Sequence, residues 1–351
     1  MSRNGRIRVA VLAGGRSSEH EISVASGASV IAALDPERYD VVPVQIDRSG
    51  GWQLEASSRL ALEPGAEGNS LIAQRPAGVP APAQTGPIDV VLPILHGPFG
   101  EDGRLQGLLD MLGIPYVGSG VAGSALTMDK DLVKYVLRGV GIAVARHSVL
   151  RNRRFGPEER AAVDELGYPC FVKPANLGSS VGISKVHSPE ELDAAVELAF
   201  RHDAKVLVEE MIGGREVEVG VLGNADAVAS VPGEIVIAND SEWYDYAAKY
   251  DEGAMELGAP ADFPQATTDE LRETALRAFE ACECSGMARI DFFVTPEGRV
   301  VLNEINTIPG FTSTSVYAKL FEASGIPYEE LLDRLIELAL ERHADAQTYQ
   351  Y

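Results

Sequence analysis

Cysteine and basic residues are scarce in this chain of 351 residues. The three cysteines, Cys170, Cys282 and Cys284, are odd in number and lack the spacing of a zinc knuckle. Neither a disulfide framework nor a structural metal site is expected, and a reducing compartment fits. Lysine and arginine number 30 against 52 acidic residues, a net charge of -22. That balance leaves no broad basic surface for nucleic acid, and none for an anionic membrane. The acidity reads as solubility. Long apolar runs are also missing, none reaching the roughly 18 residues of a transmembrane helix. The first apolar stretch, residues 7–15, is too short to span a bilayer, has no signal-peptide cleavage pattern and ends in glycines. A soluble, cytoplasmic chain with no nucleic-acid or membrane partner is therefore expected. Two nucleotide fingerprints are absent as well: Gly14-Gly15 does not match G-x-G-x-x-G, and no G-x-x-x-x-G-K-[ST] occurs. An anionic substrate must then be met by a few placed cations, which draws attention to lysines and arginines in apolar surroundings.

What is present is a hydrophobic fraction of 45%, ample for real cores. The length suits two or three domains at about 100–200 residues each. Strand-like runs at 7–13, 39–46 and 88–95 alternate with helical spacing at 19–34 and 105–112, and 115–117 reads as a short strand. This alternation predicts a doubly wound parallel α/β unit. Ligands gather at the carboxyl ends of strands in such sheets, and Glu19 and His96 lie just past two of them. Residues 55–87, rich in Ala, Pro and Gly, read as loop. A second unit opens near Ser119, with one helix over 125–137 carrying Lys130 and a strand over 171–174 carrying Lys173. A glycine-serine loop follows at 176–182, then a helix at 190–200 and a strand at 205–211. A third unit holds strands at 217–222 and 228–232, an aromatic loop at 242–250 and a helix at 268–281. It closes with a hairpin over 288–305 and an amphipathic helix at 329–343.

The hairpin carries the densest chemistry. Thr295-Pro296-Glu297-Gly298 is a turn signal. Side chains alternate between the faces of a strand, so Asp291 and Glu304 share one face with Arg289 and Asn306. Two carboxylates and an amide are hard oxygen ligands of the kind Mg²⁺ takes, with room left for water and phosphate. Taken alone, the pattern also fits a solvated hairpin face. The loop at 176–182 could bring backbone N–H groups close to a phosphate, or be an ordinary hairpin turn. Lys173 narrows the choice, because a lysine inside an apolar strand is costly without an anion. Lys130 by itself would suit a solvated helix face. Together these features describe a nucleoside triphosphate held by lysines, metal and backbone.

Six blocks in order resemble the ATP-grasp enzymes and, within them, the D-alanine–D-alanine ligases. They are Gly14-Gly15-Arg16-Ser17-Ser18-Glu19-His20-Glu21-Ile22-Ser23, His96-Gly97-Pro98-Phe99-Gly100-Glu101-Asp102-Gly103, Met128-Asp129-Lys130, Val172-Lys173-Pro174 with Gly178-Ser179-Ser180-Val181-Gly182, Tyr244-Asp245-Tyr246-Ala247-Ala248-Lys249-Tyr250, and the hairpin with Asn306-Thr307-Ile308-Pro309-Gly310-Phe311-Thr312. The resemblance spans nearly the whole chain. It implies an N-terminal α/β domain at 1–123 and an ATP-grasp module of two α+β subdomains at 124–217 and 218–351. The implied reaction has two steps. The carboxylate of one D-alanine takes the γ-phosphoryl group of ATP, and the amine of a second D-alanine then displaces phosphate from the acyl carbon.

Roles follow from the same resemblance. Lys130, Lys173, Ser180 and Lys249 would contact the nucleotide, with Glu209, Glu210 and Ile212 at the adenine and Glu216 at the ribose. Asp291, Glu304 and Asn306 would carry Mg²⁺ or Mn²⁺, two ions in all. Arg289 and backbone near Gly310 would stabilise the oxyanion, a guanidinium suiting this because it stays ionised and donates in a fixed fork. Glu19 would anchor the first ammonium, His96 would lie near it, and Ser315 would hold the second carboxylate. Tyr250, on a lid, would join Ser179 and Glu19 in closing the site to water. Relatives that make D-alanyl-D-lactate carry histidine at the Tyr250 position, so tyrosine points to an amine as second nucleophile. A D-lactate or D-serine ligase stays open at this stage. A non-catalytic binding module would be expected to have lost Lys173, Arg289, Asp291 or Glu304, and all four are present. The resemblance also implies a homodimer through the first domain, with helix 105–112 as candidate interface.

Overall fold

The computed structural model describes residues 5–54, 87–178, 181–237 and 255–350. The N-terminal unit runs β1 (Ile7–Gly14), α1 (His20–Ala33), β2 (Tyr39–Ile46), β3 (Trp52–Leu54), β4 (Val90–Ile94) and α2 (Arg104–Leu112). Its sheet has the order β3-β2-β1-β4, with β1 parallel to both neighbours and β3 an antiparallel edge. Alternate residues of β1 feed two cores. Val9 and Val11 pack with α1, while Ala10 and Leu12 pack toward α2. Helices therefore cover both faces, as a buried parallel sheet requires.

The chain continues through α3 (Val121–Met128), α4 (Lys130–Gly139), β5 (His147–Arg151), α5 (Pro157–Asp164), β6 (Cys170–Pro174), β7 (Ser184–Val186), α6 (Leu192–Ala199) and β8 (Lys205–Glu210). The sheet β5-β8-β6-β7 is antiparallel and has its own core around Leu150, Val172, Val196 and Val208. The expected single helix over 125–137 is instead two helices, broken at Asp129. That residue has extended backbone, and its carboxylate accepts from Asp131 N–H and Leu132 N–H, the usual work of an N-cap. No glycine or proline marks the break, so the hydrophobic spacing ran across it. The break turns Lys130 toward the central sheet, where its N–H donates to Ala175 O at 3.1 Å.

The last unit comprises β9 (Arg215–Gly223), β10 (Val228–Ala229), β11 (Gly233–Ile237), β12 (Met255–Gly258), α7 (Gln265–Ala281), β13 (Gly286–Val294), β14 (Val300–Asn306), α8 (Val316–Ala323) and α9 (Tyr328–Ala346). Its main sheet is β12-β11-β9-β13-β14. β9 crosses residues 217 and 218 without interruption. α4 packs on this sheet, with Val133 and Leu137 in the same core as Val219 and Ile290. We propose that the central unit is the compact stretch 147–210 and that α4 belongs to the C-terminal unit. The amphipathic C-terminal helix α9 packs back on the first sheet, Leu332, Leu335 and Ile336 joining Val9, Val11 and Ile94 in one core. The N- and C-terminal units thus share apolar contacts.

Candidate active site

A cleft of about 470 Å³ opens between the central and C-terminal sheets. Lys130, Lys173, Glu209, Glu210, Ile212, Glu216, Asp291 and Glu304 all line it, together with Leu177 and Gly178 of the loop after β6. Lys173 forms an ion pair with Glu209, which Lys134 also reaches at 3.0 Å. Burial would raise the Glu209 carboxyl, yet the two ammonium groups outweigh it and draw it down to about 2. Burial pulls Lys134 below the ordinary lysine range. Lys130 donates to Leu177 O at 2.6 Å and stands 3.6 Å from Glu304. Glu210 turns its carboxylate outward to Arg146 at 2.7 Å, so it offers the cleft mainly its backbone.

The hairpin register pairs Arg289 with Asn306 and Asp291 with Glu304, as alternation predicts. The Arg289 fork meets both Asp291 oxygens at 2.8 Å, and its Nε lies 2.9 Å from Glu218 on β9. Burial opposes the guanidinium charge, but Asp291 and Glu218 hold it firmly ionised. Asn306 Nδ2 donates to Asp291 at 3.0 Å. Each carboxylate oxygen has two lone-pair directions, so Asp291 can keep these bonds and still face a cation. Among the described residues no group of three His, Cys, Asp or Glu forms a self-sufficient metal cage. Two carboxylates and one amide suit Mg²⁺ that completes its shell with phosphate oxygens and water.

The far end of the site is built by the N-terminal unit. Ser23 accepts from Gly14 N–H at 2.7 Å and donates to Ile94 O, tying together the carboxyl ends of β1 and β4. Gly14 has φ +96, and a Cβ there would lie 2.2 Å from Ile46 O, so only glycine allows the turn that leads to Glu19. Glu19 is buried at the start of α1. A Cβ on Gly97 would fall 3.0 Å from its Oε2 and one on Gly178 3.2 Å, which places this carboxylate between the His96 loop and the loop after β6. His96 is buried, with Nδ1 2.9 Å from Ile308 O. Ser315 begins α8; its Oγ accepts from Thr312 N–H at 2.9 Å and would touch a Cβ on Gly310 at 3.4 Å. The loop carrying Gly310 is docked on the N-terminal unit through Phe311 N–H to Ser26 Oγ, 3.4 Å.

Both portions of the chain match family models of one enzyme. Residues 8–119 match the D-ala D-ala ligase N-terminus, and residues 136–337 the D-ala D-ala ligase C-terminus. A D-alanine--D-alanine ligase of Deinococcus radiodurans is 52% identical over 342 residues, which cover 95% of this chain and 98% of that one. The chain belongs to the D-alanine–D-alanine ligase family. Among solved structures of such ligases, the Bacillus anthracis D-alanine--D-alanine ligase complexed with ATP superposes at TM-score 0.76 and 29% identity, covering 97% of this chain and 99% of that one. The VanG D-Ala:D-Ser ligase of Enterococcus faecalis superposes at 0.79 and 36% identity, covering 95% and 99%.

Set against the ligase reading of the sequence, the fold brings its expected residues into two adjoining groups. Lys130, Lys173, Glu209, Glu210, Ile212, Glu216, Asp291 and Glu304 line the cleft, with Arg289 and Asn306 bonded to Asp291. Glu19, His96, Gly310 and Ser315 lie where the N-terminal unit meets the loop after β14. Ser179, Ser180, Lys249 and Tyr250 fall outside the described residues, as do most of the expected lid and of the 55–87 loop. Sequence reasoning missed three charges beside the expected site residues: Lys134 and Glu218, which are buried, and Glu101, which is half-buried. Lys134 lies one helical turn beyond Lys130, on the face that carries Val133 and Leu137. Glu218 sits two residues after Glu216 on one strand and faces Asp291. Glu101 stood inside a quoted motif without a role.

Proposed function

We propose that this chain joins two D-alanines into D-alanyl-D-alanine at the expense of ATP, through a D-alanyl phosphate, as a step toward peptidoglycan precursors. The observation that carries the reading is the position of the Arg289-Asp291-Glu304-Asn306 hairpin. It forms one wall of a lysine-lined cleft, and its trailing loop meets His96 and Glu101 from the N-terminal unit. Phosphoryl transfer onto a carboxylate needs cations between two anions. Lys130, Lys173 and Arg289 would supply such cations. Asp291, Glu304 and Asn306 would hold Mg²⁺ or Mn²⁺, two ions in the full reading, whose bound charge would screen the phosphates.

Glu19 then orients the first amino acid by its ammonium, and Arg289 with backbone near Gly310 receives the negative charge that builds at the acyl carbon. Ser315 Oγ anchors the second carboxylate, so that its amine approaches the acyl carbon as phosphate leaves. Tyr250 and Ser179, with Glu19, close the site in this reading, and Lys249 and Ser180 add nucleotide contacts. The same reading includes a cytoplasmic homodimer through α2, where Met111 and Leu112 stand exposed. Among the described residues no helix is long and apolar enough to cross a membrane.

The likeness to a D-Ala:D-Ser ligase favours one second reading, D-serine as the second amine donor. D-Alanine labelled with ¹⁸O in its carboxylate tests the chemistry common to both. One ¹⁸O in the released phosphate is the expected result, and unlabelled phosphate would overturn the acyl phosphate route.

A further inference from the structure

One residue of the loop after β14 is held through both its backbone polar groups by the N-terminal unit. Ile308 N–H donates to Glu101 Oε1 at 3.0 Å, and Ile308 O receives His96 Nδ1 at 2.9 Å. The other Glu101 oxygen accepts from Gly97 N–H at 2.5 Å, beside His96 itself. Burial and the nearby Glu19 push the Glu101 carboxyl up to about 8, against the pull of these two N–H groups. One carboxylate therefore ties the backbone next to His96 to the backbone two residues before Gly310. With Ile308 O as acceptor, Nδ1 must carry the ring proton, which leaves a lone pair on Nε2. Nε2 is buried and has no partner among the described residues. Burial lowers the His96 pKa and keeps the ring neutral, with Glu19 pulling the other way. The charges acting on this pair come from two sides: Glu19 ahead of α1, and Arg289 on β13.

We propose that Glu101 is a positioning residue: by gripping the Gly97 and Ile308 N–H groups it sets which His96 nitrogen bears the proton and presents the Nε2 lone pair to the ammonium of the first amino acid beside Glu19. The inference rests on the ligation reading above. A glutamine cannot replace Glu101, because its amide has one acceptor oxygen and would turn an NH₂ toward an N–H.

The test is Glu101→Gln in the full-length enzyme. KM for the first-site D-alanine should rise roughly tenfold to hundredfold, the cost of leaving one backbone N–H of the clamp without its acceptor. The Kd of a non-hydrolysable ATP analogue should stay within about twofold by that same accounting, since no nucleotide contact is touched. Wild-type KM, or equal losses for ATP and D-alanine, would overturn the proposal. Should the variant fail to fold, ¹⁵N-histidine NMR of the wild-type chain decides, with His96→Gln used to assign the signal. An Nδ1–H tautomer supports the clamp, and an Nε2–H tautomer overturns it. That spectrum is independent of turnover, so a wild-type enzyme making no dipeptide would fail the ligation reading and leave the tautomer result standing.

Discussion

Lys134 on α4 meets Glu209 on β8 at 3.0 Å in the floor of the cleft, their side chains only 1% and 5% exposed. The pair joins a helix packed on the C-terminal sheet to a strand of the central sheet, and the same carboxylate holds Lys173. Lys134→Met would leave Glu209 with one ammonium partner in place of two. A loss on the order of 3 kcal/mol is expected, as when a buried ion pair loses one partner. Chemical denaturation measures it, and a change within about 0.5 kcal/mol, typical of a surface site, would mean that Lys173 alone suffices.

The Glu209 pairing also sets an acid limit. Its carboxyl lies at about 2 in the folded chain against a normal 4.5. The unfolded chain therefore binds the proton first, and the stabilisation is complete above about pH 4.5 and lost as pH falls toward 2. The gap in Tm between wild type and Glu209→Gln should be widest near pH 6 and close steadily below pH 4.5. A gap independent of pH would show that packing, not charge, holds this residue.

Glu218 offers a test of how Arg289 is aimed. Its carboxylate lies 2.9 Å from Nε, whose hydrogen bond, like that of the second fork nitrogen, goes to Asp291. Glu218→Gln should lower kcat by about tenfold, roughly 1.4 kcal/mol, as the guanidinium loses one of its two flanking charges, with nucleotide affinity unchanged. Stopped assays of ADP formation beside nucleotide titrations separate the two effects.

Glu304→Gln should abolish turnover, because the carboxylate facing Asp291 across the hairpin would no longer bring charge to a divalent ion. Raising Mn²⁺ or Mg²⁺ through the millimolar range in the variant checks the cause. Near-normal activity at ordinary Mg²⁺ would remove Glu304 from the metal site.

Local pattern revealed much of this architecture before the fold was known. Two-residue alternation put Arg289, Asp291, Glu304 and Asn306 on one hairpin face, and the register bears that out. β/α alternation marked the first sheet and left Glu19 and His96 at its carboxyl edge. The break at Asp129 was hidden because a capping aspartate looks like any polar residue within helical spacing. Glu101, Lys134 and Glu218 were hidden for another reason. A buried charge shows itself through its partner, and theirs come from other segments, as with Glu101 and Ile308, 207 residues apart. The α9 packing on the first sheet is likewise a contact between chain ends, visible in the helix only as an apolar face without an owner.

The most direct measurement is product identification by mass after incubating the purified chain with ATP, Mg²⁺ and D-alanine, alone and in competition with D-serine and D-lactate. The account predicts D-alanyl-D-alanine as the main product, with one ADP formed per dipeptide and none with L-alanine. D-Alanyl-D-serine as the main product from the mixture would favour the second reading and shift attention to the residues around the second amine. ADP release with no ligated product from any donor would contradict the account.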